Sequence, residues 1–284
     1  MAAPLPQAST GPDRPNASTD AHPGAAANDP ILRVRGLSKT FRGLTALSEY
    51  NLDLPAGRIH GVIGPNGAGK TTLFHVLSGF LRPSSGSIAF EGQEIAGWPS
   101  YKVARLGIAR TFQNIRLFGD ETALDNVIVG LQAHAPRSLI GTIFSSPGFR
   151  AGERELEEQA TELLDLFGIA AQRDRLARHL AYGDQRRLEI ARAVASGPRI
   201  LLLDEPNAGM NPVETQELLR LIRRLRDELK ITIVLVAHDI PLVMNLCDRI
   251  QVLNYGRTIA EGDPAAVRSD EAVIAAYIGR ARSA

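Results

Sequence analysis

A glycine-rich segment in the first third of the chain carries the residue types best suited to bind phosphate. It reads GPNGAGKTT over residues 64–72 and matches the pattern G-x-x-x-x-G-K-[ST]. In such a loop the backbone N–H groups approach phosphate oxygens, Lys70 reaches the outer phosphates, and the Thr71 hydroxyl can ligate Mg²⁺. The segment therefore predicts a nucleoside triphosphate site. Its residues are Gly64, Pro65, Asn66, Gly67, Ala68, Gly69, Lys70, Thr71 and Thr72.

Two adjacent acids, Asp204 and Glu205, follow an apolar run that is typical of a buried strand. Open α/β sheets bind their ligands at the carboxyl ends of such strands. We expect Asp204 to hold Mg²⁺, directly or through water, and Glu205 to polarise the water that attacks the γ-phosphate. An ordinary pair of acids in a surface loop is the alternative interpretation.

A histidine follows the next apolar run in the same way. His238 comes two residues after the end of the run 231–236, so a parallel sheet would bring it beside Asp204 and Glu205. There it could sense the γ-phosphate and position Glu205. A lone histidine is more often structural, and its place at a strand end favours the functional role.

The order of the predicted elements indicates the scaffold that positions these residues. The runs 199–204 and 231–236 are separated by a helix that begins at Pro212, and strand, helix and strand in this order predict a parallel sheet. A helix is also expected from about Lys70 to Leu77, and helical periodicity dominates from about Thr122 to Gly168. The expected fold is α/β with flanking helices and an inserted helical subdomain. Shorter β-type runs lie at 31–34, 47–54, 59–63 and 86–90.

Composition excludes several classes of function. Lys and Arg number 32 against 31 Asp and Glu, so no global field favours nucleic acid. The single cysteine, Cys247, lies in an apolar stretch and predicts a buried thiol in a reduced compartment. We expect no membrane-spanning helix and no leader peptide, and we expect residues 1–29 to form a disordered arm.

The motifs together resemble the ATP-binding subunits of ABC transporters over residues 31–279. The decisive segment is LAYGDQRR at 180–187, which is similar to the ABC signature and precedes Asp204 and Glu205 as it does in that family. The resemblance implies a P-loop NTPase core of ABC type, with N-terminal antiparallel strands and a bound ATP and Mg²⁺. It also implies a signature that meets ATP held by a second subunit, through Leu180, Ala181, Tyr182, Gly183, Asp184 and Gln185.

The resemblance also assigns residues that the spacing alone leaves open. Gln113, in a loop where a glutamine is usually solvated, is implied to contact Mg²⁺ and the attacking water beside the catalytic pair Glu205 and His238. Phe41 is implied to stack on adenine, although one phenylalanine near a strand is as often part of a core. A D-loop is implied at Gly209, Met210 and Asn211.

Three residues depart from the family pattern. Ala181 lacks the hydroxyl that most members offer to the γ-phosphate, and Asn211 replaces an aspartate. Asp184 replaces a glutamine with a negative charge, which ATP would repel. We therefore expect Asp184 to turn toward the N-terminus of its own helix, where the helix dipole favours it.

Within the family, the sequence looks like the LivG-like branch that serves branched-chain amino acid uptake. The signature, the segment 109–118, the D-loop and the ending AYIG at 276–279 carry this likeness. It implies an importer with a second ABC ATPase subunit, two transmembrane permease subunits and, indirectly, a solute-binding protein, and no nucleic acid. The chain would then lie at the cytoplasmic face of the membrane as a peripheral subunit.

The same likeness suggests domain boundaries and leaves one alternative function. The ABC ATPase domain is expected over 30–279, with a RecA-like core at 30–115 and 195–262, a helical subdomain at about 116–194, C-terminal helices at 263–279 and a tail at 280–284. A soluble ABC ATPase that acts as a scaffold or remodelling factor is the alternative. A P-loop kinase would not explain the signature, Glu205 and His238.

Overall fold

The structure is a computed structural model that describes residues 29–134 and 147–281. The predicted N-terminal arm, apart from Asp29, and residues 282–284 of the predicted tail lie outside this range. The helices are α1 (Lys70–Leu77), α2 (Ser100–Arg105), α3 (Ala123–Leu131), α4 (Pro147–Leu166), α5 (Tyr182–Ala195), α6 (Pro212–Asp227), α7 (Ile240–Leu246), α8 (Pro264–Ser269) and α9 (Glu271–Ala281). The strands are β1 (Leu32–Phe41), β2 (Leu44–Leu54), β3 (Ile59–Ile63), β4 (Ser85–Phe90), β5 (Gln93–Glu94), β6 (Ile108–Arg110), β7 (Ile200–Asp204), β8 (Thr232–Val236), β9 (Arg249–Asn254) and β10 (Arg257–Gly262).

The strands form two sheets. A four-stranded antiparallel sheet has the order β2-β1-β4-β5, and a six-stranded sheet has the order β10-β9-β3-β8-β7-β6. In the larger sheet β3, β6, β7, β8 and β9 pair in parallel, whereas β10 pairs antiparallel with β9. This mixed α/β architecture with antiparallel N-terminal strands confirms the expected fold class.

The central strands are apolar throughout because both faces of their sheet are covered. Along β7, Leu201 and Leu203 face a core shared with helices α5, α6 and α7, while Leu202 faces a second core shared with the antiparallel sheet. This alternation follows from the two-residue period of a strand. The carboxyl ends of β3, β7 and β8 therefore lie side by side, with Asp204 opposite Val236 and Val236 opposite Val62.

A helical region separates β6 from β7. Helix α3 begins at a reciprocal capping box in which Thr122 and Asp125 bond each other's backbone N–H groups. Helix α4 and the turn after it bury Ala160, Leu164 and Phe167, as the periodicity predicts. Helix α5 begins at Tyr182, within the signature segment. These observations agree with an inserted helical subdomain, whose boundaries stay a prediction.

Three further expectations concern membrane-spanning helices, the cysteine and the C-terminal stretch. Among the residues that the structure describes, no helix combines the length and apolarity needed to cross a membrane. Cys247 is buried as expected, and burial raises the pKa of its thiol well above the usual range. The C-terminal stretch forms two short helices, α8 and α9.

Candidate nucleotide site

The glycine-rich loop connects β3 directly to α1, and its backbone can be formed only by glycine at two positions. Gly64 has φ 153°, and a Cβ there would lie 2.1 Å from the carbonyl oxygen of Leu253. Gly69, the N-cap of α1, has φ 106°, and its Cβ would lie 2.5 Å from the carbonyl oxygen of Ala46. The loop is thus seated against neighbouring backbone, with its N–H groups at the start of a helix, where anions are favoured.

Lys70 begins α1 with its side chain folded over this loop. Its Nζ donates to the carbonyl oxygens of Gly64 at 2.6 Å and Pro65 at 3.1 Å, and the residue is only 6% exposed. Thr71 follows in the exposed first turn, with Thr72 partly buried behind it. An ammonium, a helix N-terminus and a ring of backbone N–H groups are the donor set that polyphosphate requires.

Asp204 closes β7 in an ion pair that the sequence did not reveal. Its Oδ2 lies 2.8 Å from Nη2 of Arg110, and both side chains are 4% exposed. The Arg110 guanidinium also donates to Ser78 and lies between the rings of Phe74 and Phe112. Burial lowers the pKa of Arg110, an effect that the bond to Asp204 opposes. Each buried charge is therefore compensated by the other.

Glu205 stands at the centre of the three residues predicted to be catalytic. Its Oε1 lies 2.5 Å from Nε2 of His238, and its Oε2 accepts from Nε2 of Gln113 at 3.2 Å. The backbone of Glu205 has φ 47°, a left-handed conformation that residues other than glycine rarely adopt. Such strain clusters at functional sites, where the surrounding structure must hold it in place.

The predicted magnesium ligands fit that metal by their chemistry. Thr71 offers a hydroxyl, Gln113 an amide and Asp204 a carboxylate, which are the hard oxygen donors that Mg²⁺ prefers. Asp204 and Gln113 both lie at the carboxyl edge of the central sheet, and Gln113 reaches Glu205 there. Their roles as ligands stay a prediction.

The signature residues lie at the start of helix α5, on the side of the D-loop. Ala181 is the N-cap without a side-chain bond, and the ring of Tyr182 lies against Gly209. Asp184 lies in the first turn with its Oδ1 3.9 Å from Nη1 of Arg187. This placement agrees with the expected attraction to its own helix N-terminus. Leu180 is buried, Gly183 lies next to Glu214, and Gln185 donates to the Leu180 carbonyl oxygen at 3.0 Å.

Asn211 has a local task in addition to its place in the D-loop. Its Oδ1 accepts from the N–H groups of Val213 at 2.9 Å and Glu214 at 3.0 Å, and Glu214 accepts from the Asn211 N–H in return. This capping box starts α6, and the spacing N-x-x-E in the sequence is a signal that could have found it. Met210 packs at the edge of the core shared with α5, α6 and α7.

Phe41 ends β1 on the antiparallel sheet and is 40% exposed. Nζ of Lys39 lies 5.0 Å from the centre of its ring. A partly exposed ring at a strand end agrees with the stacking role, which stays a prediction.

Two charged residues of α5 extend the site beyond the predicted set. Arg186 and Glu189 are 0% and 2% exposed, form an ion pair at 2.8 Å, and bond the backbone around Gln113. Their spacing of three residues on a helix face that also buries Ile190 and Val194 was the available signal. A charged pair on an apolar face calls for an explanation.

Comparison with known proteins gives two family matches. Residues 47–208 match the model described as "ABC transporter", and residues 257–282 match the model described as "Branched-chain amino acid ATP-binding cassette transporter". The first match covers more than half of the chain and includes the glycine-rich loop, the signature and the acid pair.

Curated relatives match over nearly their whole length. The chain is 46% identical to the high-affinity branched-chain amino acid transport ATP-binding protein BraF of Pseudomonas aeruginosa, over 89% of this chain and 99% of the relative. It is 44% identical to the corresponding protein LivG of Escherichia coli, over 89% of this chain and 100% of the relative.

Solved structures give the same result for the fold. An ATP-binding cassette of an ABC transporter in its ADP conformation superposes with a TM-score of 0.75 at 30% identity, over 88% of this chain and 98% of the other. A nucleotide-free cassette from an ABC transporter superposes with a TM-score of 0.76 at 30% identity, over 88% and 99%.

Proposed function

This chain belongs to the ABC transporter family of ATP-binding proteins, and from that membership we propose that it hydrolyses ATP to energise the import of branched-chain amino acids. The single observation that carries the hydrolytic role is the arrangement of Glu205 between His238 and Gln113. The solute is proposed because relatives matched over their whole length are named for it, and because the C-terminal family match bears the same name.

We propose the following division of labour among the chain's own residues. The backbone N–H groups of the glycine-rich loop and Lys70 bind the phosphates, and Phe41 stacks on the adenine. Thr71, Gln113 and Asp204 hold Mg²⁺, which when bound would draw charge from the outer phosphate oxygens. Glu205 accepts a hydrogen bond from the attacking water, and His238 fixes the orientation of the Glu205 carboxylate.

The position of the signature supports a pair of subunits. Ala181 and Tyr182, at the start of α5, are both exposed, Tyr182 to 46%, so this end of the helix is accessible to a second nucleotide-binding chain. We propose that two ABC ATPase subunits associate head to tail, each placing Leu180 to Gln185 on the ATP held by the other. The second subunit is either a copy of this chain or a related ABC ATPase.

A surface beside the Gln113 loop supports the proposed membrane partner. Apolar side chains exposed there are contributed by both the sheet domain and the helical region, and they are Phe80, Tyr101, Phe118 and Val129. Phe112 lies beneath them in edge-to-face contact with Phe80. We propose that this surface receives a short helix of a permease subunit, which would hold the chain at the cytoplasmic face of the membrane.

The soluble scaffold alternative has less support. The relatives are named as transport ATP-binding proteins, and the matches cover 99% and 100% of their own length. We therefore favour the importer.

The test is ATP hydrolysis by the chain reconstituted in liposomes with its permease and solute-binding subunits. Leucine, isoleucine and valine are compared with urea, an amide and unrelated amino acids. The matched control for Glu205→Gln is Glu228→Gln, which changes an exposed acid at the C-cap of α6. Stimulation by branched-chain amino acids that Glu205→Gln abolishes supports the proposal. Hydrolysis that responds to neither permease nor solute would favour the scaffold function.

A further inference from the structure

The loop that carries Gln113 is held by side chains of the signature helix. Between β6 and α3 the backbone from residue 111 to 118 forms no strand or helix. Arg186 Nη1 donates to the Phe112 carbonyl oxygen at 2.7 Å, and its Nη2 donates to the Gln113 carbonyl oxygen at 2.8 Å. Glu189 Oε1 accepts from the Arg116 N–H at 3.1 Å. The pair thus replaces the backbone partners that a strand would provide.

Stability alone does not account for this ion pair. Arg186 is wholly buried, and its Nε–H finds no partner within the part of the chain that the structure describes. A buried pair pays a large desolvation penalty, and apolar residues of similar size often stabilise a fold equally well. What an apolar pair cannot provide is directional hydrogen bonds to the carbonyl oxygens at residues 112 and 113. The arrangement therefore fixes the position of a particular loop.

The loop in turn sets the geometry at Glu205. Gln113 donates to Glu205 Oε2 at 3.2 Å, while Arg186 holds the backbone of Gln113 itself. A chain of bonded groups therefore runs from the start of α5, which carries the signature, to the Glu205 carboxylate. Such a connection moves the loop and the helix together, because a buried network has few alternative arrangements.

We propose that Arg186 and Glu189 are positioning residues that fix the Gln113 loop to the signature helix, so that Gln113 reaches the hydrolytic site only when that helix is in place. The inference rests on the proposed role of Gln113 in hydrolysis. It assigns these two residues no contact with nucleotide, so their effect should fall on the rate of hydrolysis rather than on the binding of ATP.

The test uses the full-length chain with its permease partners and two variants. Arg186→Met combined with Glu189→Gln removes both charges, keeps an acceptor for the Arg116 N–H and leaves no buried ion unpaired. Arg186→Lys keeps the charge but not the planar fork that reaches two carbonyl oxygens at once. The matched control is Arg224→Gln, which breaks an exposed Arg–Glu pair on α6. Measurements are kcat and KM for ATP, the unfolding midpoint, and hydrogen exchange of amides 112–116 without nucleotide.

In the double variant we expect an unfolding midpoint close to that of the wild type and exchange at 112–116 at least about tenfold faster. Its kcat should fall about tenfold or more, and its KM for ATP should be nearly unchanged. A tenfold fall in kcat corresponds to the loss of one hydrogen bond to a charged group. The kcat and the exchange rate of Arg186→Lys should lie between those of the wild type and the double variant. Both quantities should be unchanged in Arg224→Gln.

A folded double variant with wild-type kcat, or with unchanged exchange at 112–116, would overturn the inference. If the double variant does not fold, the kcat and the exchange rate of Arg186→Lys test the inference instead. A wild-type chain without hydrolytic activity would contradict the proposed function. Hydrogen exchange of amides 112–116 is measured without ATP, so it would still test the link between the loop and the helix.

Discussion

Replacing Arg110 with methionine should destabilise the nucleotide-free protein by about 3–5 kcal/mol, because it leaves the Asp204 carboxylate buried without its counter-charge. The two groups are 2.8 Å apart, and each side chain is only 4% exposed, so water can replace little of the lost interaction. Methionine keeps most of the contact with the rings of Phe74 and Phe112, which confines the change to the charge and its hydrogen bonds.

The assay is equilibrium unfolding in urea at pH 7, first with a chelator and then with Mg²⁺. Two control variants separate charge from packing: Arg110→Lys retains a cation, and Arg110→Met with Asp204→Asn removes both charges. We expect the lysine variant to lose less stability, and the double variant to recover most of the loss. Because Mg²⁺ would supply the missing counter-charge, it should stabilise the methionine variant more than the wild type. A loss below about 1 kcal/mol, or a double variant as unstable as the single one, would refute the reasoning.

Three further predictions follow from individual contacts. Burial lowers the pKa of His60 from 6.5 to about 4, so the unfolded chain binds the extra proton as the pH falls. Protonation of this residue in the unfolded chain should therefore lower the free energy of unfolding by about 2 kcal/mol between pH 7 and pH 5. His60→Gln should flatten the pH dependence of the urea midpoint over that window, and an equally steep dependence would contradict the assignment. Asn211→Ala should cost about 1 kcal/mol of unfolding free energy by removing the cap of α6, whereas an unchanged midpoint would show that the cap is dispensable. Asp184→Gln should change the rate of ATP hydrolysis by less than about fivefold, because Asp184 lies beside Arg187 at its own helix N-terminus. A much larger gain would show that this charge opposes ATP.

The sequence predicts the parts of the site whose functional side chains lie together on one short segment at the end of a strand. The glycine-rich loop follows its strand without interruption, and Asp204 and Glu205 follow an apolar run that is typical of a buried strand. His238 could be placed because a parallel sheet aligns strand ends. The local sequence pattern and the sheet topology were therefore sufficient to predict these residues.

The residues that escaped prediction have partners far along the chain. Arg110 and Asp204 are 94 positions apart, and Arg186 and the Phe112 carbonyl are 74 apart. A carbonyl oxygen has no signature in a sequence, and an arginine on a helix usually marks a solvated face. Only the packing of α5 against the loop shows that Arg186 is wholly buried.

The central claim is that Glu205 polarises the water that hydrolyses ATP. The most direct measurement is the single-turnover rate of ATP hydrolysis by Glu205→Gln, with Glu228→Gln as the surface control. Glutamine keeps the size and shape of the side chain and one acceptor oxygen, which can still accept from Gln113, but it loses the negative charge. The account predicts a rate at least about 10²-fold below that of the wild type, with ATP still bound. Hydrolysis at the wild-type rate would contradict it.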